Sequence, residues 1–171
     1  MSVPMNTLYI QDLLRFIRVL MKNAAYCFLI THSSQGEMHA RLMQPFLPEE
    51  DLSVWFGASR NSRKVREIEA NHLVTLTYFY QAEYAYLSVQ GRASLSDDRA
   101  LRKQYWREEW FKFWPGGPEQ EDYSLIQVKP YHIEIMDLAQ GIAPEPYGLR
   151  PLILVKEREQ WVVRDDSLAL S

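Results

Sequence analysis

A single cysteine, Cys27, excludes an internal disulfide framework. It sits in an apolar, strand-like run, where a packing role is expected rather than a reactive thiol. Long apolar runs are also missing. Asp12, Arg15, Arg18 and Lys22 interrupt the apolar stretch in the first thirty residues, which matches neither a membrane span nor a signal peptide. A soluble cytoplasmic protein is expected. Net charge is only −3, too little for a global field that would hold nucleic acid. The seven glycines form neither a Walker loop nor a dinucleotide fingerprint. His32, His39, His72 and His132 show no metal-ligand spacing, so no metal is expected. No Ser-His-Asp set can be assembled from spacing, and no catalytic residue is assigned.

The 171 residues suffice for one domain with a real core, and 47% apolar with 24% charged residues is ordinary for a globular fold. Aromatics reach 13%, with five Trp and ten Tyr. Ile10, Leu13, Leu14, Ile17, Leu20 and Met21 recur at helical spacing and predict an amphipathic helix, with Asn6 or Thr7 as its cap. Ala24 to Thr31 reads as a strand buried on both faces, followed by a hairpin turn at 33–36. Further strands are predicted at Met38 to Phe46, Leu52 to Gly57 and Leu73 to Tyr80. Tyr84 to Leu95 alternates, with Ala85, Leu87 and Val89 on one face and Tyr86, Ser88 and Gln90 on the other; Gly91 marks a bulge or a close backbone approach. A helix begins after Ser96-Asp97-Asp98, carries Leu101, Tyr105, Trp106, Trp110, Phe113 and Trp114, and stops at Pro115-Gly116-Gly117-Pro118. Leu125 to Val128 and Tyr131 to Met136 read as a strand pair. Pro144 to Gly148 reads as a linker before a terminal hairpin. At least six strands joined by short turns give a mainly β, mostly antiparallel sheet that closes into a barrel.

The most informative segment runs from Trp55 to Ala70. A strand ends in a short turn, and Arg60, Arg63, Lys64 and Arg66 place four cations within seven residues at a helix start. Cations there oppose the macrodipole. A docked anion would reverse that cost, held by free backbone amides, the hydroxyls of Ser59 and Ser62 and the cationic heads. A phosphate cradle and a solvated basic helix start remain alternatives at this point. Arg41, mid-strand, needs either a carboxylate or the same phosphate. Tyr86, Ser88 and Gln90 face either a heterocycle or solvent. The Trp-rich helix makes core, subunit interface or a stacking platform. Glu49-Glu50-Asp51 reads as a solvated acidic turn.

In order, HARLM, LSVWFGASRNSRKVREIEAN, LVTLTY, YLSVQGRASLSDDRA and a Trp-rich segment ending WPGGP resemble the pyridoxamine 5′-phosphate oxidase-like flavoproteins, more narrowly their general-stress-protein branch. The resemblance covers roughly Leu13 to Asp137. It implies a split β-barrel of the FMN-binding type over residues 1–140; residues 141–171 lie outside the resemblance and read as an extension, with Pro151 to Val155 and Trp161 to Val163 a terminal hairpin packing on the same domain. It also implies a homodimer with FMN at the subunit interface. Arg41, with its neighbours Leu42 and Met43, would contact the FMN phosphate or ribityl chain. The backbone of Phe56, Gly57, Ala58 and Ser59 would line the flavin, and Ser62, Arg63 and Lys64 would hold the phosphate. Tyr86 falls where true oxidases tend to carry Gln, and Trp106 and Trp114 would reach the partner subunit's flavin. True oxidases also carry a lysine shortly after the strand arginine, where this chain has Gln44-Pro45-Phe46. Pyridoxamine phosphate is therefore not the expected substrate. A flavin-dependent oxidoreductase on a small molecule is the expectation. A non-enzymatic flavin-binding stress protein and a single-stranded nucleic-acid module are the alternatives.

Overall fold

The structure, a computed structural model, describes residues 5–142 and 150–164. Its chain order is α1 (Met5–Ala24), β1 (Cys27–His32), β2 (Met38–Met43), β3 (Val54–Ser59), α2 (Arg63–Ala70), β4 (Leu73–Tyr80), β5 (Ala85–Ser96), α3 (Arg99–Gln104), β6 (Tyr123–Asp137), β7 (Leu152–Glu157) and β8 (Gln160–Arg164). The strands form one sheet in the order β2-β1-β4-β5-β6-β7-β8, with β3 paired to β6, and every pairing is antiparallel. The mainly β, antiparallel expectation holds. The predicted linker at 144–148 lies outside the described residues.

The amphipathic pattern of α1 sends Leu13, Ile17, Leu20 and Met21 into the core, where they meet Leu29, Phe56, Leu76, Leu87 and Ile133. α1 already starts at Met5, so Asn6 and Thr7 lie within its first turn. Each fully buried aliphatic side chain here contributes roughly 1.5–3 kcal/mol relative to exposure. A second cluster, Trp55, Tyr105, Trp110, Tyr123 and Leu125, sits beside β3 with Phe46, Trp106 and Trp114 packed on it.

Three expectations are corrected. The run Ala24 to Thr31 is not buried on both faces. In β1, Cys27, Leu29 and Thr31 point inward, while Phe28 is 49% exposed. The outer face also shows Leu42 and Phe79. Apolar content in sequence marks a face that avoids water and cannot say whether the same chain covers it. The two segments around Pro130 are not a strand pair but one fifteen-residue strand, β6. Proline lacks the ladder N–H. It is accommodated opposite Gly91, where the β5/β6 register shifts. A Cβ on Gly91 would stand 2.5 Å from Val128 Cγ1, which explains the glycine at the predicted bulge.

The third correction concerns the Trp-rich helix, which ends at Gln104 and gives way to a 3-10 turn at Glu108–Lys112. Asp98 caps α3 as expected, Oδ1 accepting from Leu101 N at 2.9 Å. Tertiary packing then overrides helical periodicity. Tyr105 stacks on Trp55 at 4.8 Å and donates to Glu49 Oε1 at 2.6 Å. Glu49 also accepts from Trp55 Nε1 at 3.0 Å, so it is an anchor rather than a solvated turn residue.

Candidate functional site

β3 runs straight into the head of α2, because Ser59 O accepts from Ser62 N at 3.0 Å and closes the turn between them. α2 opens without an acid in its first turn. Val65 and Arg66 give their amides to Ser62 O at 3.2 and 3.3 Å. Those of Arg63 and Lys64 have no backbone acceptor among the described residues. Ser62 is the N-cap residue, yet its hydroxyl makes no capping bond, and Oγ is buried without any partner. An orphaned hydroxyl at a helix head is costly unless something polar meets it.

The four cations of this segment part company. Arg60 pairs with Asp97, and Arg66 donates to Asn61 O at 2.7 Å. Arg63 reaches Glu67 only at 3.7 Å and is 62% exposed. Lys64 is half-buried and makes no ion pair among the described residues. Burial first, then the charge of Arg41, lowers its pKa from the ordinary value. Ser59 is committed elsewhere, donating to Asp122 Oδ2 at 2.7 Å. The cradle that four cations and two serines predicted thus contracts to Ser62, Lys64, the free amides and the flexible Arg63.

Arg41 found the carboxylate of its two expected partners. Its Nη2 donates to Glu67 Oε2 at 3.2 Å, and its Nη1 to Leu29 O at 3.1 Å and Thr31 Oγ1 at 2.6 Å. His39 Nδ1 donates to Glu67 Oε1 at 2.6 Å, and the Thr31 hydroxyl donates to Oε2. Burial pushes the Glu67 carboxyl up, but these hydrogen bonds and the charges of His39 and Arg41 outweigh it and hold the pKa below 4.5. Reading the sequence missed Glu67, His39 and Thr31. The available signal was the placement of Glu67 four residues after Arg63, one helical turn on.

The outer face holds the remaining predicted residues. Leu42 is 59% exposed and pairs in register with Phe28, which pairs with Thr77 and then Ser88. Tyr86 pairs with Phe79. Burial and the nearby charge of Glu134 raise the pKa of Tyr86. A cavity of about 500 Å³ lies over this face, lined by Tyr26, Phe28, Leu42, Phe79, Tyr86 and Ser88. The sheet therefore separates Arg41 and the α2 head from the side chains of Leu42 and Tyr86. Met43 is half-buried and packs on the core.

In β3, Phe56 and Ala58 are buried. Gly57 is required, since a Cβ there would stand 2.4 Å from Trp110 Cζ3. β3 pairs with β6 along one edge; the other takes Phe46 N onto Trp55 O at 2.9 Å. Strand alternation puts the backbone groups of Gly57 on that same edge. Trp106 and Trp114 pack against Tyr123 at 5.1 and 5.0 Å within their own chain. The Trp106 Nε1 is buried without a partner. Among the described residues no group of three metal-ligating side chains comes together, and no helix is long and apolar enough to cross a membrane.

One antiparallel sheet carries, directly after β3, a short basic helix whose first amides have no backbone acceptor among the described residues. The chain belongs to the pyridoxamine 5′-phosphate oxidase-like family, whose model matches residues 12–143. It is similar to General stress protein 26 of Bacillus subtilis, 26% identical over 112 residues, which is 62% of this chain and 76% of the relative. The crystal structure of the General Stress Protein 26 of Bacillus anthracis superposes with a TM-score of 0.64 at 26% identity, covering 73% of this chain and 94% of that one. A pyridoxamine 5′-phosphate oxidase-related, FMN binding protein of Nostoc punctiforme shares the fold at 18% identity and a TM-score of 0.63, covering 96% and 98%. The fold is the split β-barrel of this family, and the resemblance to its general-stress-protein branch holds.

Proposed function

We propose that this chain binds FMN at the head of α2 and acts, as a cytoplasmic homodimer, as a flavin-dependent oxidoreductase on a small molecule other than pyridoxamine phosphate. One observation carries the cofactor: among the described residues the buried Ser62 Oγ has no partner and the half-buried Lys64 beside it has no counterion. A phosphate monoester fits this donor set. It would take the hydroxyl hydrogen, the free amides of Arg63 and Lys64 and the ammonium, with Arg63 swinging in from solvent. Arg41 would act at one remove, raising the positive potential at Lys64 while Glu67 holds it in place.

The backbone edge of Gly57 offers a donor and an acceptor to a heterocycle, next to the aromatic wall of Trp110. FMN would supply the redox chemistry. The chain's own task is then to bind, orient and exclude water. The stretch Gln44-Pro45-Phe46, where true oxidases carry a lysine, holds no cation for a second phosphate, and Phe46 packs against Tyr105 and Trp110.

The outer face is what supports the dimer. Phe28, Leu42 and Phe79 are 49%, 59% and 60% exposed on one side of one sheet, next to Tyr86 and Ser88. An apolar patch of this kind marks an interface. A second copy seated there would bring the outer-face residues against the flavin edge of its neighbour, reuniting the two halves of the site.

The FMN test is spectroscopic. The purified protein should be yellow, and Arg63→Ala with Lys64→Ala should weaken FMN by about 2–4 kcal/mol, as loss of charge-assisted bonds does. An unchanged titration removes the α2 head from the site. Phe79→Asp should convert the dimer to a folded monomer in sedimentation; a dimer that survives it places the interface elsewhere. Pyridoxamine phosphate should be turned over poorly, and rapid oxidation of it would reverse the substrate assignment.

A further inference from the structure

A second cavity, of about 200 Å³, opens where the C-terminal end of α1 meets the β2–β3 connector. It does not belong to the α2 head. Its apolar wall is Met21, Pro45, Phe46 and Leu47; its polar lining is Lys22, Gln44, Tyr78 and Arg107. No carboxylate lines it among the described residues, and neither Lys22 nor Arg107 makes an ion pair there.

The Arg107 guanidinium is fixed rather than free. Nη2 donates to Pro45 O at 2.8 Å, and the head lies over the Phe46 ring at 4.6 Å and the Trp110 ring at 5.5 Å. Its Nε is buried with no partner. Tyr78 is 2% exposed, and among the described residues its hydroxyl meets only the Cys27 thiol. The neighbouring Cys27 thiol, pushed up to about 12 by burial, is only a weak acceptor. One unsatisfied donor and one held only by a thiol, in the lining of one cationic, half-apolar cavity, form an unusual arrangement, because a buried donor without a good acceptor costs stability. The space exceeds what a single water needs.

We infer that this cavity is a binding site for a small single-ring carboxylate: its ring would lie against Phe46, Pro45 and Met21, and its carboxylate would accept from Arg107 and Tyr78, with Lys22 at the mouth. Anion and ring are both required. A phosphate ester would find no helix head here, and a neutral ring would leave the charge of Arg107 unmatched. The inference stands on this cavity alone and is independent of the flavin.

The test is calorimetric titration of the full chain, with FMN in excess, using benzoate and its neutral analogue benzamide. Benzoate should bind saturably, one per chain, and benzamide at least about tenfold more weakly, as loss of a charge-assisted hydrogen bond implies. Arg107→Gln should weaken benzoate by about tenfold or more and leave benzamide unchanged. Tyr78→Phe should weaken benzoate with little change in melting temperature, because the deleted hydroxyl loses only a weak contact with the Cys27 thiol. That variant decides the matter if Arg107→Gln does not fold. Absence of saturable benzoate heat, equal binding of benzamide, or benzoate binding untouched by Tyr78→Phe would each overturn the site.

Discussion

Arg41 and Lys64 are two cations under one short helix, close enough for the charge of one to lower the pKa of the other. Arg41 is answered within its own chain, by Glu67 at 3.2 Å, Thr31 and the Leu29 carbonyl. Lys64 is answered by nothing among the described residues, although half of it is out of water. A cation with its partner in place is architecture; a half-buried cation without one costs stability. Sequence counts both as positive residues near a strand and cannot tell them apart.

The contrast breaks most severely at Glu67. Glu67→Ala leaves Arg41 and His39 without their acceptor, and it should cost about 3–5 kcal/mol in denaturant unfolding, as loss of one member of a buried pair does. A cost under about 1 kcal/mol would mean that the network is not holding the β2 edge to α2. Next comes Lys64→Met. It should weaken FMN by about 1.5–3 kcal/mol while the flavin-free protein melts no lower, since an uncompensated cation has been removed from a half-buried place. If the flavin-free protein loses stability instead, Lys64 has an internal partner.

The pH profile gives a finer comparison. Glu67 titrates below its ordinary 4.5 in the folded chain, so its contribution is complete above that value and is lost as pH falls through the lowered one. Glu67→Gln should be less stable than the parent at neutral pH, and the gap should close under acid. A gap that stays constant from neutral to pH 3 would place the stabilising charge elsewhere. Lys64 moves in the opposite sense. Its depressed pKa means that charging it opposes folding, so its penalty fades at alkaline pH. The smallest effect is at Ser62. An N-cap Ser→Ala change ordinarily costs about 0.5–2 kcal/mol. Here Oγ caps nothing, so Ser62→Ala should change flavin-free stability by less than about 0.5 kcal/mol and lower FMN affinity by the ~0.5–1.5 kcal/mol of one hydrogen bond.

Much of the barrel was legible because its rules are local. Alternation through Ala85, Leu87 and Val89 marked the inner face of β5, and Gly91 marked the bulge. The short helix after β3 was also legible, although its cations oppose the macrodipole and the Ser62 side chain makes no capping bond. The helix carrying the tryptophans was not, because its local periodicity was real but lost to the stacking of Tyr105 on Trp55. β6 was cut in two at Pro130, because the register shift that accommodates the proline lies on another strand, at Gly91.

The sequence by itself determined most of the strands, the two faces of β5 and the position of a basic helix head after β3, since period, propensity and turn chemistry act over a few residues. Tertiary structure alone decided which charges were already spent. Glu67 reaches Arg41 across 26 positions and His39 across 28, and Asp122 takes the Ser59 hydroxyl across 63. Ion pairing in a folded chain depends on distance in space, and no local pattern encodes it.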